Sequence, residues 1–377
     1  MVSFNLLGFP YKKYNIKLDA TFDNDPLAWS RPLVRHHCGE FSMAAVKANM
    51  DMEDQSQVEV GTDALFVGVY DGHKGDTTAI YLRDHIFGDI LRRIKHMDNR
   101  VVNYSETVLR QGEIFRRIPQ TTNDPKYSCV LEIQNILRQG VAEMERGFIE
   151  FARNSFEQQH EVKNSFVSSD IQLEFTPNYL SDPHSLLQSI KVKGLIETSR
   201  CIGYAYLKNA QFTERRSFEI PLSEVVTPTF TGPFLSSQPE VYSRVLSDTD
   251  RFIIFGSGGF WKLISNEKAA RVVNTSPRDR IAERLVTIAL EKGARKRGKK
   301  YAALIGIPAS NCVSGNNGNQ NLAYRSAYHD DITVIVVYLD KRPNGEGVRP
   351  EINSYTGYDD EVRQSEFRNF YNNNANA

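Results

Sequence analysis

The segment Phe252–Ser265, "FIIFGSGGFWKLIS", constrains the fold most, because it changes from a strand pattern to a helix pattern across a short glycine-rich turn. Its first residues are apolar and predict a buried strand, and a helix headed by a tryptophan follows the turn. Glycine allows positive φ and lets the backbone approach a phosphate or a metal closely. The segment has no carboxylate, histidine or cysteine. Three interpretations therefore stay open: a phosphate cradle, a plain turn, or an active site that has lost its acid.

The charge balance and the apolar runs exclude several classes of protein. Lys+Arg and Asp+Glu are both 46 in a chain of 377 residues, so no overall field favours nucleic acid or an anionic membrane. No apolar run approaches the roughly 18 residues that are needed to span a membrane. We therefore expect neither a nucleic-acid partner nor a membrane span.

The cysteine pattern bears on compartment and on metal binding. The four cysteines include no C-x-x-C pair, which disfavours a zinc site and a disulfide scaffold. His36 and His37 stand beside Cys38, but no complementary pair stands at ligand spacing, so the sequence does not favour a metal there. We expect a reducing intracellular compartment, the cytoplasm or the nucleus.

The order of predicted elements indicates an α+β protein. Ala64–Tyr70 reads as a buried strand and "DITVIVVYLD" as a last one. Amphipathic helices are predicted from Thr77 to about His96, with Asp76 as N-cap, and from about Val130 to Ala152. Strands early and late with helices between favour α+β over a repeating βαβ unit.

Acidic residues recur at the ends of predicted strands. Glu53 and Asp54 are adjacent, Asp71 leaves a buried strand in "YDGHKG", and Asp330 and Asp331 open the last strand. Carboxylates with a backbone carbonyl and water suit Mg²⁺ or Mn²⁺. Any one of these acids alone is typical of a solvated turn. Three such places, together with the glycine-rich turn, favour a site.

These segments together resemble the protein phosphatase 2C family, and its plant branch most closely. The resemblance rests on "GEFSMAAVKANMDMEDQ", "LFVGVYDGHKG", "KGLIETSRCIGYAYLKNAQF", "FIIFGSGGFWKLISNEKAARVV" and "HDDITVIVVYLD", which stand in the family's order. It covers most of the chain from Gly39 to Asp340. We accordingly divide the sequence into an N-terminal extension (1–38), a phosphatase 2C-like domain (39–340) and a polar tail expected to be disordered (341–377).

The resemblance implies a fold and a chemistry. The fold is a sandwich of two antiparallel β-sheets flanked by α-helices, and the activity is hydrolysis of phosphoserine and phosphothreonine in proteins with two Mg²⁺ or Mn²⁺ ions. By position, Asp71 would bridge the metals, Glu53 and the Gly72 carbonyl would serve one metal, and Asp330 the other. His73 would be the general acid that protonates the leaving oxygen.

Several residues depart from the family pattern. Gly258 stands where relatives have a metal-ligating aspartate, and Lys262 where an acid follows the tryptophan. Tyr204 replaces the aspartate of the third motif, and Lys74 replaces a glycine. Asn49 stands where many members have a phosphate-binding arginine, but the plant branch also has asparagine there.

The largest departure is an absence of central strands. The hairpins of relatives that carry "GSC" and "ANAGDSRAVLG" have no counterpart between the second helix and "IQLEFTPNY". A defective gene model or a splice form would also lack them. Two functions stay open: a pseudophosphatase that binds phosphoproteins or regulatory proteins, and an active phosphatase with a weakened second metal site. We expect a monomer in either case.

Overall fold

The structure is a computed structural model that describes residues 21–62, 64–96, 125–163, 192, 196, 198–212, 232–243, 246–247, 249–310, 324–340 and 350–372. The chain divides into two compact units. The first consists of Met1–Leu131, Arg244–Cys312 and Asn319–Ala377, and the second of Glu132–Ser243 and Val313–Gly318.

The strands belong to the first unit and form two sheets. They are β1 (Ala28–His36), β2 (Gly39–Val46), β3 (Gln55–Val60), β4 (Leu65–Tyr70), β5 (Phe252–Gly256), β6 (Ile332–Tyr338), β7 (Asn353–Thr356) and β8 (Val362–Gln364). One sheet has the order β1-β2-β6-β5 and the other β4-β3-β7-β8. Every neighbouring pair is antiparallel. The predicted α+β sandwich of two antiparallel sheets is confirmed.

The described residues also form α-helices, and all but one of these lie in the first unit. They are α1 (Thr77–Lys95), α2 (Pro125–Lys163), α3 (Gly258–Trp261), α4 (Asn266–Thr275), α5 (Ile281–Arg295) and α6 (Phe367–Asn372). The helix predicted from Thr77 is α1, and the second predicted helix is α2, which extends beyond the predicted ends. None of the described helices is both long and apolar enough to cross a membrane.

The first sheet is buried on both faces, which explains the continuous apolar run of its central strand. Every residue of β6 is buried. Val334 and Val336 belong to the core that includes α5, whereas Ile335 and Val337 face the second sheet with Phe41. Because successive side chains of a strand point to opposite faces, a strand between two layers needs apolar residues at every position.

The C-terminal segment differs from the expectation of a disordered tail. Residues 350–372 contain β7, β8 and α6, and β7 pairs with β3. Tyr355 and Phe367 are buried, and the Tyr355 ring lies 5.4 Å from that of Phe41. Backbone hydrogen bonds and two aromatic anchors thus order a segment whose composition is polar. The other residues of the predicted tail lie outside the described ones.

The N-terminal extension also contributes to the sandwich. Strand β1 lies within residues 1–38 and pairs with β2, with His36 opposite Gly39. The sheet therefore begins before Gly39, the residue at which the family resemblance starts.

In the second unit, the described residues form α2 and short 3₁₀ helices. Two of these helices are Ala205–Leu207 and Ala210–Phe212. The Glu145 carboxylate on α2 accepts from the Gly203 backbone N–H at 2.8 Å and pairs with Lys208 Nζ at 2.6 Å. Between α2 and β5 the described residues include isolated β-bridges but no extended strand.

Candidate active site

The β3–β4 hairpin brings the first two acidic segments together. Gln55 at the start of β3 pairs with Tyr70 at the end of β4, so Glu53 and Asp71 flank the same end of the hairpin. A Cβ on Gly72 would lie 2.2 Å from the Glu53 carbonyl oxygen. Only glycine allows the two loops to approach this closely.

The two acids before β6 have different roles. Asp331 is buried, and its carboxylate accepts backbone N–H groups from Ala48 at 2.6 Å, Asn49 at 3.2 Å and Glu53 at 2.8 Å. It therefore holds the loop that carries Glu53. Asp330 is exposed and lies on the same end of the sandwich. The sequence placed Asp330 in the site and assigned no role to Asp331.

The glycine-rich turn packs against the segments that contain Asp71 and Asp331. The Gly258 backbone N–H donates to Asp71 Oδ2 at 2.5 Å. A Cβ on Gly259 would lie 2.0 Å from the Asp331 carbonyl oxygen, and the Trp261 indole N–H donates to the Gly256 carbonyl at 2.9 Å. These contacts favour a close-packed turn at the acidic site over a separate phosphate cradle.

Lys262 brings a positive charge to this cluster. Its Nζ lies 3.5 Å from Asp330 Oδ2, and the side chains are 61% and 50% exposed. The two departures from the family pattern in this segment thus touch two predicted metal ligands: Gly258 contacts Asp71, and Lys262 contacts Asp330.

The carboxylates repel one another. Burial raises the pKa of Glu53, and the charges of Asp331, Asp330 and Asp71 raise it further, against a hydrogen bond from the Gly75 N–H. Such mutual repulsion at one place is typical of a site that a cation would stabilise.

Asp54 was a candidate oxygen ligand beside Glu53 in the sequence, and the family resemblance gave it no role. It is almost fully buried, and this burial, with the charge of Asp71, raises its pKa well above the usual range. The Ser257 and Thr333 hydroxyls oppose the shift. A neutral Asp54 behind Asp71 would reduce the repulsion within the cluster.

His73, the predicted general acid, lies at the edge of this cluster. Partial burial lowers its pKa, and the charges of Lys74 and Lys262 lower it further, whereas Asp330 and Asp71 act in the opposite direction. Lys74 has a φ of 63°, which explains why relatives place glycine there and indicates backbone strain of about 1–2 kcal/mol. Both lysines disfavour the protonated imidazolium that a general acid requires.

Tyr204, the fourth departure, belongs to the second unit. It precedes the 3₁₀ helix Ala205–Leu207 and has a φ of 49°.

The predicted metal ligands are of the chemical type that binds a hard divalent cation. Glu53, Asp71, Asp330 and the Gly72 carbonyl offer only oxygen, which suits Mg²⁺ or Mn²⁺. Their carboxylate oxygens do not all lie within 4.8 Å of one another, and Asp71 and Asp330 already contact Gly258 and Lys262. The donors therefore fit a divalent ion in their chemistry, and Asp71 and Asp330 would have to exchange these contacts in order to bind one.

Comparisons with known proteins identify the family of this chain. The model of the family described as "Protein phosphatase 2C" matches residues 181–298. Probable protein phosphatase 2C 25 from Oryza sativa subsp. japonica is 34% identical over 340 residues, which cover 84% of this chain and 82% of the relative. Probable protein phosphatase 2C 68 from Arabidopsis thaliana is 33% identical over 341 residues, which cover 84% and 81%.

A solved structure was also found, described as the crystal structure of serine-threonine phosphatase 2C from Toxoplasma gondii. It has a TM-score of 0.47 and 13% identity, and the match covers 84% of this chain and all of that one. The identity and coverage of the plant relatives are sufficient by themselves: the chain belongs to the protein phosphatase 2C family. Members of this family are generally metal-dependent.

Proposed function

We propose that this chain is a phosphatase 2C-fold protein whose metal-dependent catalysis is impaired, and that it acts mainly as a binding module. The observation that carries the proposal is the Lys262–Asp330 contact of 3.5 Å. A cation beside a predicted metal ligand opposes a second cation there, and no carboxylate at position 258 compensates for it.

The remaining residues have defined roles in this proposal. Glu53, Asp71 and the Gly72 carbonyl would hold one Mg²⁺ or Mn²⁺ ion, and Asp330 would serve a weakened second position. When bound, these ions supply an activated water and stabilise the leaving oxygen. His73 would donate a proton to that oxygen, but burial and the charges of Lys74 and Lys262 lower its pKa and so disfavour the protonated form.

The second candidate is an active protein serine/threonine phosphatase with a weakened second metal site. It is favoured because Asp71, His73 and Asp330 are all present at one end of the sandwich. The two candidates differ in whether the unaltered chain turns over substrate.

The deciding experiment is hydrolysis of a phosphothreonine peptide with Mn²⁺ by three forms of the full chain: unaltered, Gly258→Asp and Asp71→Asn. We expect no turnover by the unaltered chain and recovery in Gly258→Asp. The Asp71 side chain must turn aside in that variant, because the new Cβ would lie 2.6 Å from its Oδ2. Turnover by the unaltered chain that Asp71→Asn abolishes would establish the second candidate.

The proposal also covers the binding partner, the compartment and the oligomeric state. We propose a phosphoprotein or a regulatory protein as the partner, an intracellular location, and a monomer. Cys38 and Cys201 are not joined in disulfides, which agrees with a reducing compartment. Light scattering of the purified chain tests the monomer, and a fluorescent fusion tests the location. A stable dimer or a secreted product would contradict them.

A further inference from the structure

We propose that the β1–β2 turn holds a second kind of metal site, in which His36, His37 and Cys38 bind one Zn²⁺ ion. Among the described residues, these three form a group whose ligand atoms all lie within 4.8 Å of one another. The sequence disfavoured a metal here for lack of a complementary pair. The fold nevertheless brings the ligand atoms of these three adjacent residues close together.

His36 is held as a metal ligand requires. Its Nε2 lies 3.0 Å from the Tyr338 carbonyl oxygen. A carbonyl oxygen only accepts, so Nε2 carries the hydrogen and Nδ1 of the neutral ring keeps its lone pair. Metal-binding histidines commonly donate their other N–H to a carbonyl or a carboxylate in this way, which fixes ring and tautomer. The side chain is fully buried, so its orientation does not depend on the ion.

Cys38 lies at the distance that a shared zinc ion imposes. Its Sγ is 3.7 Å from His36 Nδ1. In a tetrahedral site, with Zn–S about 2.3 Å and Zn–N about 2.0–2.1 Å, sulfur and nitrogen are about 3.6 Å apart. The Cys38 N–H reaches the same Nδ1 only at 3.4 Å, a long contact that an ion would replace with little movement.

The donor set selects the metal. Two imidazoles and a thiolate are softer ligands than carboxylates, and they favour Zn²⁺ over Mg²⁺. Three protein ligands leave the fourth tetrahedral position to water. His37 and Cys38 are partly exposed, so an ion could reach the turn from solvent. His36 is the buried ligand on the inner side of the turn.

The turn packs on the end of β6 and is distant from the acidic cluster. A Cβ on Gly39 would lie 2.1 Å from the Tyr338 carbonyl oxygen, so glycine lets the turn pack onto the end of β6. The acidic residues lie at the opposite ends of β2 and β6, beyond Val46 and before Ile332. Seven strand residues span about 23 Å. The two sites can therefore be loaded and removed independently.

The test uses Co²⁺ as a spectroscopic substitute for Zn²⁺ in the full chain, because cobalt bound to a thiolate gives a charge-transfer band. We expect the band in the unaltered chain, its loss in Cys38→Ser, and its displacement by Zn²⁺. Cys201→Ser is the matched control, since Cys201, like Cys38, is a partly exposed cysteine outside a disulfide. It should keep the band, and so should Asp71→Asn, which removes an acid of the other site.

A second measurement covers the case in which Cys38→Ser fails to fold. Zn²⁺ should protect Cys38 of the unaltered chain from iodoacetamide at least tenfold while Cys201 stays reactive, as read from peptide masses. Absence of the band and of protection, or a band that depends on Cys201 or Asp71, would overturn the proposal. A simple hydrogen bond between thiol and imidazole would then account for the turn.

Discussion

At the scale of single residues, we expect Lys262 to affect the proposed cation binding more than stability. An exposed ion pair such as Lys262–Asp330 contributes about 0–1 kcal/mol to folding. The same charge opposes a cation at Asp330, by about 1 kcal/mol in a water-like dielectric and by about 4 kcal/mol at an effective dielectric constant of 20.

Lys262→Gln should therefore raise the affinity for Mn²⁺ by at least about fivefold, which corresponds to 1 kcal/mol. The free energy of unfolding without metal should change by less than about 1 kcal/mol. Isothermal titration calorimetry measures the affinity. Lys268→Gln, an equal charge change on α4, is the control. Equal affinities in the two variants would show that Lys262 does not oppose the ion.

Gly72 sets the distance between the two loops that carry Glu53 and Asp71. Gly72→Ala would place a Cβ 2.2 Å from the Glu53 carbonyl, so the loops must separate. We expect a loss of roughly 1–3 kcal/mol in stability and loss of the Mn²⁺ response, measured by urea unfolding with and without Mn²⁺. Gly306→Ala is the control because a Cβ there meets nothing within 4 Å. A Gly72→Ala protein with an intact Mn²⁺ response would contradict this account.

At the scale of elements, the spacing of apolar residues predicted the apolar strands and helices but not the polar strand β7. Strand β6 and helix α1 were predictable because their apolar spacing reflects burial. Strand β4 was also predicted, but as a buried strand, whereas it lies at the edge of its sheet and all its residues except Gly68 are half-buried. Strand β7, "NSYT", has no such pattern, yet it pairs with β3 and is buried. Its partner is nearly 300 residues away in the chain, and no local signal encodes that pairing.

The C-terminal strands should be part of the folded core. Deletion of 351–377 removes Tyr355 and Phe367, whose burial contributes about 3–6 kcal/mol together. At about 2–4 °C per kcal/mol, the midpoint of thermal unfolding should fall by at least about 6 °C in calorimetry. Deletion of 373–377 is the matched control and should leave it unchanged. Equal midpoints would mean that the strands contribute nothing.

Glu59 links β3 to this C-terminal segment and gives the link a pH dependence. Its carboxylate accepts from the Ser354 hydroxyl at 2.5 Å and from the Glu366 N–H at 3.1 Å. Burial raises its pKa above 4.5, against these hydrogen bonds. The folded state thus holds the proton more tightly than the unfolded state, so this contribution to stability falls as pH rises through the folded pKa.

Glu59→Gln should remove that contribution. Relative to the unaltered chain, its free energy of unfolding should become larger, meaning greater relative stability, as pH rises from about 4.5 to 7, as measured by denaturant unfolding at several pH values. Glu361→Gln, an exposed acid in the same segment, should show no such trend. A constant difference for Glu59→Gln would refute the proposed link.

At the scale of the whole molecule, the sequence predicted the family and the acidic cluster but not how its charges are balanced. Motif order identified Glu53, Asp71 and Asp330 as neighbours. Nothing in the sequence showed that Asp331 holds the Glu53 loop, since that role is a set of backbone hydrogen bonds. A metal at His36, His37 and Cys38 was disfavoured for lack of a complementary pair, because the sequence does not show that the turn packs on β6 and that the three ligand atoms lie within 4.8 Å of one another.

The metal sites should also be visible in the stability of the whole chain. An ion that binds only the native state stabilises it by RT ln(1 + [L]/Kd), and equal numbers of acidic and basic residues leave no global field to concentrate cations. With Lys262 opposing the ion, Mn²⁺ should raise the unfolding midpoint only at millimolar concentration. Asp71→Asn should abolish this rise and Cys38→Ser should not, in scanning fluorimetry. A midpoint that rises at micromolar Mn²⁺ would mean that the acidic site binds tightly despite Lys262, and the impaired-catalysis proposal would lose its physical basis.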